Sequence, residues 1–393
     1  MSELQCDLCD GQDLEKVYKS PSDSRGLSVY ICNTCSLVQS LPRIDLAPRK
    51  SPGASSGADW GNIRYGKGFR TSEMLDWFSK KCGFENINTV MDLGASRGSF
   101  LSEISRILPD AEIVAIEPDE RVTKEWQDNA RFQWIHQRIE DVNLEPNRFD
   151  FIYSCHTQEH LRSPRRTLRQ LRAALTENGY ILIEVPSINA ISGADIIEEW
   201  FLDKHLYHYS PRTMEQHILS AGFTNYLVEE RGENIIAYVS AKDANDELAS
   251  QRLSSMLDVS ETSRIKMLIR YYEDLLTANQ SLLKKISQMI EDRAGTQKVV
   301  VWGGGRIFDS IVKNGGLNTK LLQGLIDKNL GNYLKDVHGC KILPPSELKI
   351  LNPDVVFVLS RAFYAEIAQE ISAILPEVNV IGWQQLYDEA KAM

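Results

Sequence analysis

The stretch VMDLGASRGSFL, residues 90–101, decides the fold of this chain of 393 residues. A run of apolar residues around Asp92 leads into a loop that contains Gly94 and Gly98, and residues suited to a helix follow. This order is typical of the carboxyl end of a strand in a doubly wound α/β sheet, where ligands bind. The two glycines let the backbone pass close to a ligand, because a side chain there would collide with it or forbid the turn.

The same pattern extends on both sides of this stretch, over residues 60–242. Apolar runs that favour strands alternate with patterns that favour helices. The predicted strands are residues 89–94, 112–118, 149–154 and 180–186, and the predicted helices include residues 97–108 and 164–175. Such alternation predicts a mostly parallel sheet with helices on both faces.

Composition and charge narrow the class of protein. The length fits two to three domains, and 42% hydrophobic with 25% charged residues is normal for a soluble globular protein. The sequence has no apolar run long enough to cross a bilayer, and its N-terminus lacks the features of a secretory signal, so we expect a cytoplasmic protein. A net charge of -10 argues against broad binding to nucleic acid or to anionic membrane.

Four of the seven cysteines form two CxxC pairs in the first 50 residues. They are Cys6 with Cys9 and Cys32 with Cys35, separated by 22 residues. Two such knuckles can present four thiolates to one tetrahedral zinc ion. We therefore predict a structural zinc module over residues 1–50, with a redox dithiol as the weaker alternative.

Two more segments follow the central domain at residues 60–242. Residues 262–292 place apolar side chains at helical spacing and predict a long linking helix. Its apolar face could pack between domains or form a coiled coil in a dimer, so both a monomer and a homodimer are possible. Residues 297–393 predict a second Rossmann-like α/β domain.

That C-terminal domain begins with VVVWGGGRIFDS, residues 299–310, which predicts a strand, a glycine turn and a helix. Gly304 and Arg306 could contact a pyrophosphate, and Asp327 stands at the end of the next strand, where a ribose would bind. The alternative is a degenerate Rossmann fold that serves only as a scaffold.

The central domain resembles class I S-adenosylmethionine (SAM) dependent methyltransferases. DLGASRG is like their first motif, AIEPD like the second, and FDFIYS followed by EHL like the fourth. Glu117 follows Asp92 by 25 residues, where a carboxylate can accept hydrogen bonds from ribose hydroxyls. The predicted cofactor residues are Asp92, Gly94, Ala95, Ser96, Gly98, Glu117, Pro118, Glu140, Asp141 and Cys155. An NAD site is the alternative, but the glycine spacing departs from its GxGxxG pattern.

The order of zinc knuckles, methyltransferase core, long helix and second Rossmann-like unit resembles the nucleotide-sugar C-methyltransferases. The match extends to EEWFLDKHLYHYSPRTM, residues 198–214, where the family carries a glutamate and histidine pair followed by aromatic residues and a serine. His205 matches the histidine of the family, and Lys204 takes the place of its glutamate.

The resemblance implies methylation of a carbon beside a keto group, which needs a base to remove a proton. His205 is the first candidate for that base, and His160 is a second polar group near the transferred methyl. Tyr65 resembles a tyrosine on the substrate side of the family's site. If Lys204 points into the site, it could stabilise an enolate or hold a phosphate and would lower the pKa of His205; if it points outward, it is a surface residue.

The sequence thus predicts a SAM-dependent methyltransferase that acts on a nucleotide-linked sugar, with C-methylation beside a keto group as the first reading. Methylation of a sugar hydroxyl, on a nucleotide-sugar or a polysaccharide precursor, is the alternative. An RNA methyltransferase that uses the zinc module, or a fold without activity, is less favoured. We expect a small-molecule substrate and neither nucleic acid nor membrane as a partner. The predicted substrate-binding residues are Tyr207, His208, Tyr209, Gly304, Arg306 and Asp327.

Overall fold

The computed structural model describes residues 4–21, 25–43, 69–96, 98–119, 131–202, 204–256, 259–328, 330–332, 334–361 and 363–393. They separate into two compact units. The first unit takes its residues from 1–49, 65–192 and 200–270, and the second from 193–199 and 271–393.

The first unit contains eleven described strands and five described helices, together with the start of a sixth helix. The strands are β1 Leu14–Tyr18, β2 Ser28–Cys32, β3 Val38–Leu41, β4 Thr89–Leu93, β5 Glu112–Ile116, β6 Phe132–Ile135, β7 Phe149–Cys155, β8 Leu175–Pro186, β9 Tyr207–His208, β10 Asn225–Arg231 and β11 Asn234–Ser240. The helices are α1 Phe69–Lys81, α2 Ser99–Ile107, α3 Pro164–Ala174, α4 Pro211–Ser220, α5 Asp246–Met256 and α6 Val259–Ala294.

Seven of these strands form one sheet, in the order β10-β11-β8-β7-β4-β5-β6. The five strands from β8 to β6 are parallel to their neighbours, and β10 and β11 add an antiparallel hairpin at one edge. The chain runs from β4 outward through β5 to β6 and then returns to β7 on the other side of β4. The direction of winding therefore reverses between β4 and β7, which is the place where doubly wound sheets bind ligands.

Helices cover both faces of this sheet, as the sequence predicts. On one face Val90 of β4 packs in a core with Phe78 of α1 and Leu101 of α2. On the other face Met91 packs in a core with Leu168 of α3 and Ile218 of α4. Neighbouring residues of one strand thus enter different cores, because successive side chains of a strand point to opposite faces.

The cysteine-rich N-terminal segment builds a second sheet, β1-β2-β3-β9, whose last strand comes from much later in the chain. Val38 and Gln39 of β3 pair antiparallel with His208 and Tyr207 of β9. The segment shares its buried core with the methyltransferase-like sheet, and Cys6, Cys32 and Cys35 belong to that core. The module is therefore tied to the chain around residue 207 by backbone hydrogen bonds.

The second unit is a separate α/β layer structure. Its strands are β12 Val299–Trp302, β13 Gly324–Ile326, β14 Asp336–Val337, β15 Cys340–Leu343, β16 Val355–Val358 and β17 Asn379–Gly382, and its helices are α7 Arg306–Lys313, α8 Leu348–Leu351, α9 Tyr364–Ile374 and α10 Trp383–Ala392. The sheet order is β14-β15-β13-β12-β16-β17, and all pairs except β14 with β15 are parallel. This is the Rossmann-like arrangement expected from the glycine-rich turn.

Helix α6 is longer at both ends than residues 262–292, the segment predicted from the sequence. Its apolar face is buried within the chain itself, with Ile269 and Ile286 fully inaccessible. Burial of this face is the outcome expected from intramolecular packing. None of the helices in the described ranges combines the length and the apolar character needed to span a bilayer.

The sequence did not predict α5, because residues 243–258 read as polar and mixed. Only Ala249 of this helix is buried, so it lacks the apolar stripe that makes a helix visible in a sequence.

Serine and proline fix the start of two helices beside the sheet. The Ser163 side chain caps α3, and Ser210 caps α4 in a reciprocal pair with Thr213. Each serine is followed by a proline, whose fixed φ angle and missing N–H suit the first helical position. These caps set where α3 and α4 begin.

Replacing Ser210 with alanine should therefore lower the free energy of unfolding by about 1 kcal/mol, since the backbone N–H of Thr213 at the start of α4 loses its acceptor. Urea unfolding followed by far-UV circular dichroism measures the change. Ser254→Ala is the matched control, because that exposed serine bonds only within α5. An equal effect in both variants would contradict the capping role.

Candidate active site

Three adjacent parallel strands end at one edge of the seven-stranded sheet and place the predicted cofactor residues together. β4 ends near Asp92, β5 leads to Glu117, and β7 ends at Cys155. The loop after β4 is held to the neighbouring strand, because the N–H groups of Gly94 and Ala95 both donate to the carbonyl oxygen of Ile116 at 2.9 and 3.1 Å.

Gly94 is required by its backbone and by its neighbour. Its φ angle is +83°, and a Cβ atom there would lie 2.2 Å from the Thr157 hydroxyl oxygen. That hydroxyl donates to the carbonyl oxygen of Leu93 at 3.0 Å. Gly98, with a φ angle of +74°, then begins α2. The strand, loop and helix order expected from the sequence is present.

Glu117 closes the loop from the second strand. Its carboxylate accepts a hydrogen bond from the N–H of Ser96, in the loop after β4, at 3.0 Å. It also accepts one from the N–H of Asp119 at 2.9 Å, which follows the exposed Pro118. Burial raises the pKa of Glu117, although the two backbone N–H donors act in the opposite direction. Asp92 is 2% exposed, and burial followed by the nearby charge of Glu117 raises its pKa well above the usual range.

This edge fits SAM by the chemistry of its donors and acceptors. One oxygen of the buried Asp92 carboxylate has no hydrogen-bond partner among the described residues. SAM carries an ammonium group and ribose hydroxyls, which are donors of the kind that such an oxygen and the Glu117 carboxylate accept.

The remaining predicted cofactor residues have partners within the protein. Glu140 accepts from the N–H of Arg162 at 2.8 Å, and Asp141 pairs with the Arg162 guanidinium at 2.9 Å. The Cys155 thiol donates to Glu184 at 3.7 Å, and burial raises the pKa of Cys155 well above its ordinary value. The two acids thus hold the turn that follows β7, and their contact with the adenine stays a prediction.

Behind the end of β7, two buried carboxylates flank one histidine. His156 Nδ1 lies 3.3 Å from Glu159, and His156 Nε2 lies 3.7 Å from Glu184, which also faces Arg70 at 3.4 Å. Burial alone would lower the pKa of His156, but its contacts with the two carboxylates outweigh burial and raise it. His156 therefore favours its charged form.

His160 and His205, the two histidines predicted to act on the substrate, come together in the structure. Their ring centroids are 4.9 Å apart, with the planes inclined at 62°. Burial is the main cause that lowers the pKa of both, and for His205 the charges of His160 and Lys204 add to it and hold the pKa well below the usual range. His205 is thus neutral near pH 7, as a general base must be. Tyr65 lies outside the described residues.

The aromatic residues that follow His205 are packed inside the protein. Tyr207 and Tyr209 are 2% and 1% exposed and belong to the core of the first unit. The Tyr207 hydroxyl donates to the carbonyl oxygen of Arg162 at 2.8 Å. His208 is 4% exposed, and burial lowers its pKa to about 3. The structure gives these three side chains a packing role, and a contact with substrate stays a prediction.

Ser40 of the cysteine-rich sheet holds the segment that carries His205. Its N–H donates to the carbonyl oxygen of Leu206 at 2.8 Å, and its hydroxyl donates to the carbonyl oxygen of His205 at 3.2 Å. The same hydroxyl lies 3.2 Å from His208 Nε2. The N-terminal sheet therefore fixes the position of the proposed base.

The four predicted zinc ligands form one cluster. The sulfur atoms of Cys6, Cys9, Cys32 and Cys35 all lie within 4.8 Å of one another, and two pairs are 3.5 Å apart. Tetrahedral zinc thiolates with bonds of about 2.3 Å have sulfur atoms about 3.8 Å apart. The residues thus fit a closed structural zinc site, without an open position for catalysis.

In the second unit, the predicted nucleotide residues surround the turn after β12. Asp327 accepts from the N–H of Gly304 at 3.1 Å and from the N–H of Leu330 at 2.8 Å, so its carboxylate holds the turn itself. Arg306 is the first residue of α7. Binding of a ribose or a pyrophosphate here stays a prediction.

A cavity of about 370 Å³ opens at the carboxyl ends of β16 and β17 in the second unit. Arg361 lines it and pairs with Glu198 at 2.8 Å and also with Asp195. Tyr364 and Trp383 add aromatic walls. The sequence did not single out this cavity, because Asp195 and Glu198 lie far from Arg361 along the chain.

Comparison with known proteins agrees with the geometry of the first unit. Residues 57–228 match the sequence family described as a methyltransferase domain. The chain carries a methyltransferase domain. Together with the seven-stranded sheet and the loop at Gly94, this match shows that the domain has the class I methyltransferase fold and that the protein is a SAM-dependent methyltransferase. Residues 295–381 match a family described as C2185-like, N-terminal. No curated protein matches the chain.

Solved structures resemble this methyltransferase at a distance. A SAM-dependent methyltransferase from Mesorhizobium loti is 14% identical, with a TM-score of 0.35 over 42% of this chain and 97% of that one. The plantazolicin methyltransferase BpumL, solved with S-adenosylhomocysteine, is 15% identical, with a TM-score of 0.40 over 47% of this chain and 87% of that one. Likeness at this level carries no information about the methyl acceptor here.

The sequence missed Ser40, which bonds the backbone at His205, and it missed Glu184, which lies beside His156 and pairs with Arg70. Ser40, Glu184 and Arg70 reach the site from distant parts of the chain, and none of them lies in a recognisable motif. Glu159 was visible in the QEHL segment, but only His160 of that pair was singled out.

Removing the Glu117 carboxylate should weaken SAM binding in this methyltransferase. Charged hydrogen bonds contribute about 1.5–3 kcal/mol, so Glu117→Ala should raise the Kd for SAM by about 10- to 100-fold. Isothermal titration calorimetry measures this Kd. Glu112→Ala is the control, since Glu112 lies on the same strand but pairs with Arg148 at 2.5 Å. An unchanged Kd for Glu117→Ala would remove Glu117 from the cofactor site.

The cysteine cluster should hold one zinc ion per chain, measured by inductively coupled plasma mass spectrometry. Cys32→Ser should lose that ion and lower the melting temperature, because a tetrahedral site loses one thiolate and the small sheet loses its metal. Cys82→Ser is the matched control and should retain one zinc. Retention of zinc by Cys32→Ser would contradict the predicted ligand set.

Proposed function

We propose that this methyltransferase transfers the methyl group of SAM to a nucleotide-linked sugar, at a carbon beside a keto group, with His205 as the base. The observation that supports the proposal is the contact between His205 and His160, on the segment that follows β7 at the end of the sheet where SAM is predicted to bind. His205 contacts the ring of His160, and the segment before His160 begins at Cys155, where β7 ends. A base at this place can act on a substrate that faces the cofactor.

SAM supplies an electrophilic methyl group, so the protein has only to generate and orient the nucleophile. His205 removes the proton from the carbon next to the keto group, which leaves a carbanion stabilised as the enolate. Lys204 lies close enough for its charge to lower the pKa of His205. That charge is also suited to stabilise the enolate oxygen.

Methylation of a sugar hydroxyl is the second candidate, on a nucleotide-sugar or a polysaccharide precursor. A neutral imidazole can deprotonate a hydroxyl as well as an acidic C–H, and Lys204 replaces the glutamate expected from the resemblance to C-methyltransferases. In either case we propose that the C-terminal unit holds the nucleotide at Gly304, Arg306 and Asp327, as the sequence predicts. We also propose that the zinc module supports the segment that carries His205, through the hydrogen bonds of Ser40.

The test incubates the protein with labelled SAM and a panel of nucleotide-linked 4-keto sugars and hydroxy sugars, followed by NMR of the product. A new methyl on carbon is the expected result, and a methyl on oxygen would select the second candidate. Absence of transfer to every sugar of the panel, with SAM still bound, would overturn the nucleotide-sugar assignment.

His205→Ala should lower kcat by about 100-fold or more, since general bases contribute about 10²- to 10⁴-fold to rates. The Kd for SAM should stay within twofold, because His205 contacts no residue of the Gly94 loop in the described structure. His338→Ala, which removes a histidine paired with Asp309 in the second unit, should leave kcat unchanged. Normal turnover by His205→Ala would exclude it as the base.

A further inference from the structure

The active-site cluster contains a carboxylate for which the mechanism above has no use. Glu159 is 1% exposed, and neither of its carboxylate oxygens makes a hydrogen bond of good geometry with the residues that the structure describes. Leaving such a charge buried without hydrogen bonds is costly. His156 Nδ1, 3.3 Å away, balances part of this charge, and the same carboxylate also faces the two histidines predicted to act on the substrate.

Backbone hydrogen bonds hold Glu159 against the segment that carries His205. The carbonyl oxygen of Glu159 accepts from the N–H of Leu206 at 2.7 Å. One residue further along, His160 Nδ1 lies 2.7 Å from the carbonyl oxygen of Lys204. Since a carbonyl oxygen only accepts, Nδ1 of His160 carries the proton. The two segments are thus aligned residue against residue on both sides of His205.

This alignment brings the Glu159 carboxylate close to both imidazoles. A carboxylate oxygen of Glu159 and one ring nitrogen each of His160 and His205 all lie within 4.8 Å of one another. His160 Nε2 is 3.8 Å from Glu159, and His156 Nδ1 is 3.3 Å from it. Attraction between opposite charges at such distances is strong where water is excluded.

We propose that the negative charge of Glu159 stabilises the imidazolium formed when His205 takes the proton of the substrate. The inference rests on the proposed function and deepens it. Glu159 is a positioning residue in this scheme, because it acts on the reaction through His205 and His160 rather than by touching the substrate.

The proposed step balances in atoms and charge. The proton leaves the substrate carbon for a ring nitrogen of His205, and the electron pair of the broken C–H bond forms the new bond to the methyl carbon of SAM. The S–CH₃ bond breaks and its electron pair stays on sulfur, which gives neutral S-adenosylhomocysteine. His205, now positively charged, faces the negative Glu159 until its proton passes to water.

The groups around His205 explain why it needs this carboxylate. Burial and the charges of His160, Lys204, His208 and His156 all disfavour a protonated His205. A base that holds a proton so poorly is a weak base. The counter-charge of Glu159 offsets these effects in the direction that proton transfer requires.

Glu159→Gln keeps the size of the side chain and removes its charge. We expect kcat to fall by about 10- to 100-fold, with the Kd for SAM within twofold of the wild type. The acid limb of the kcat profile should move to lower pH, because loss of the negative charge lowers the pKa of His205 and the neutral form persists to lower pH. Glu159→Asp should recover part of the rate and of the pH shift.

A second measurement does not depend on the substrate. NMR titration of imidazoles labelled with ¹³C and ¹⁵N should show a lower pKa for His205 in Glu159→Gln than in the wild type. An unchanged pKa with an unchanged rate would overturn the inference even if the sugar assignment holds. A lowered pKa in a protein that methylates none of the sugars would support the pairing and remove only the proposed function.

Asp309→Asn is the matched control, because Asp309 is a buried carboxylate that contacts a histidine, His338, at 2.7 Å in the second unit. It should leave the rate and the pKa of His205 unchanged. Circular dichroism shows whether each variant folds, and Glu159→Asp provides the test if Glu159→Gln does not. A divalent metal ion bound in addition to zinc, and lost in Glu159→Gln, would overturn the proposal in favour of a metal site at these three side chains.

Discussion

The parallel hydrogen bonding of β4 to both β5 and β7 is the constraint on which the active site depends. It brings three strand ends to one edge, so that Asp92, Glu117 and Cys155 become neighbours although up to 63 residues separate them in the chain. A sheet wound in both directions from β4 leaves a crevice at this edge that no crossover helix covers. At this edge the glycine-containing loop after β4 leads directly into α2.

The antiparallel pairing of β3 with β9 adds a second constraint, which acts on the substrate side. A strand of only two residues would not hold its position alone, but Ser40 bonds the chain around it at three points. Small sheets without a large core depend on metal or other cross-links for stability. Zinc at the four cysteines would thus stabilise the sheet that positions His205. Loss of this structural zinc would then lower catalysis by His205 as well as stability.

The sequence was sufficient to predict those strands, helices and ligand clusters that depend on local patterns of residues. Apolar runs located the central strands β4, β5, β7 and β8 and the helices α2 and α3 beside them, and the spacing of the cysteines predicted a cluster that the structure contains. The sequence did not predict α5, because too few of its residues are buried to give a helical spacing of apolar residues. The helix predicted at residues 262–292 is shorter than α6 at both ends. The partners of the histidines were out of reach for a different reason. Ser40 and Glu184 reach the site through tertiary packing, and neither their spacing nor their flanking residues differ from those of ordinary strand positions.

The charges around His205 come from separate parts of the chain. A base beside a cation loses proton affinity, so Lys204 weakens His205 as a base unless a carboxylate lies near the same imidazole. Glu159 is one residue from His160, and the hydrogen bond from Leu206 places it beside the same imidazole. The carboxylate lies within the buried cluster, where its charge acts strongly. In the proposed mechanism the negative charge stabilises the imidazolium and the positive charge stabilises the enolate, so opposite charges around one neutral histidine favour removal of a proton more than either charge alone.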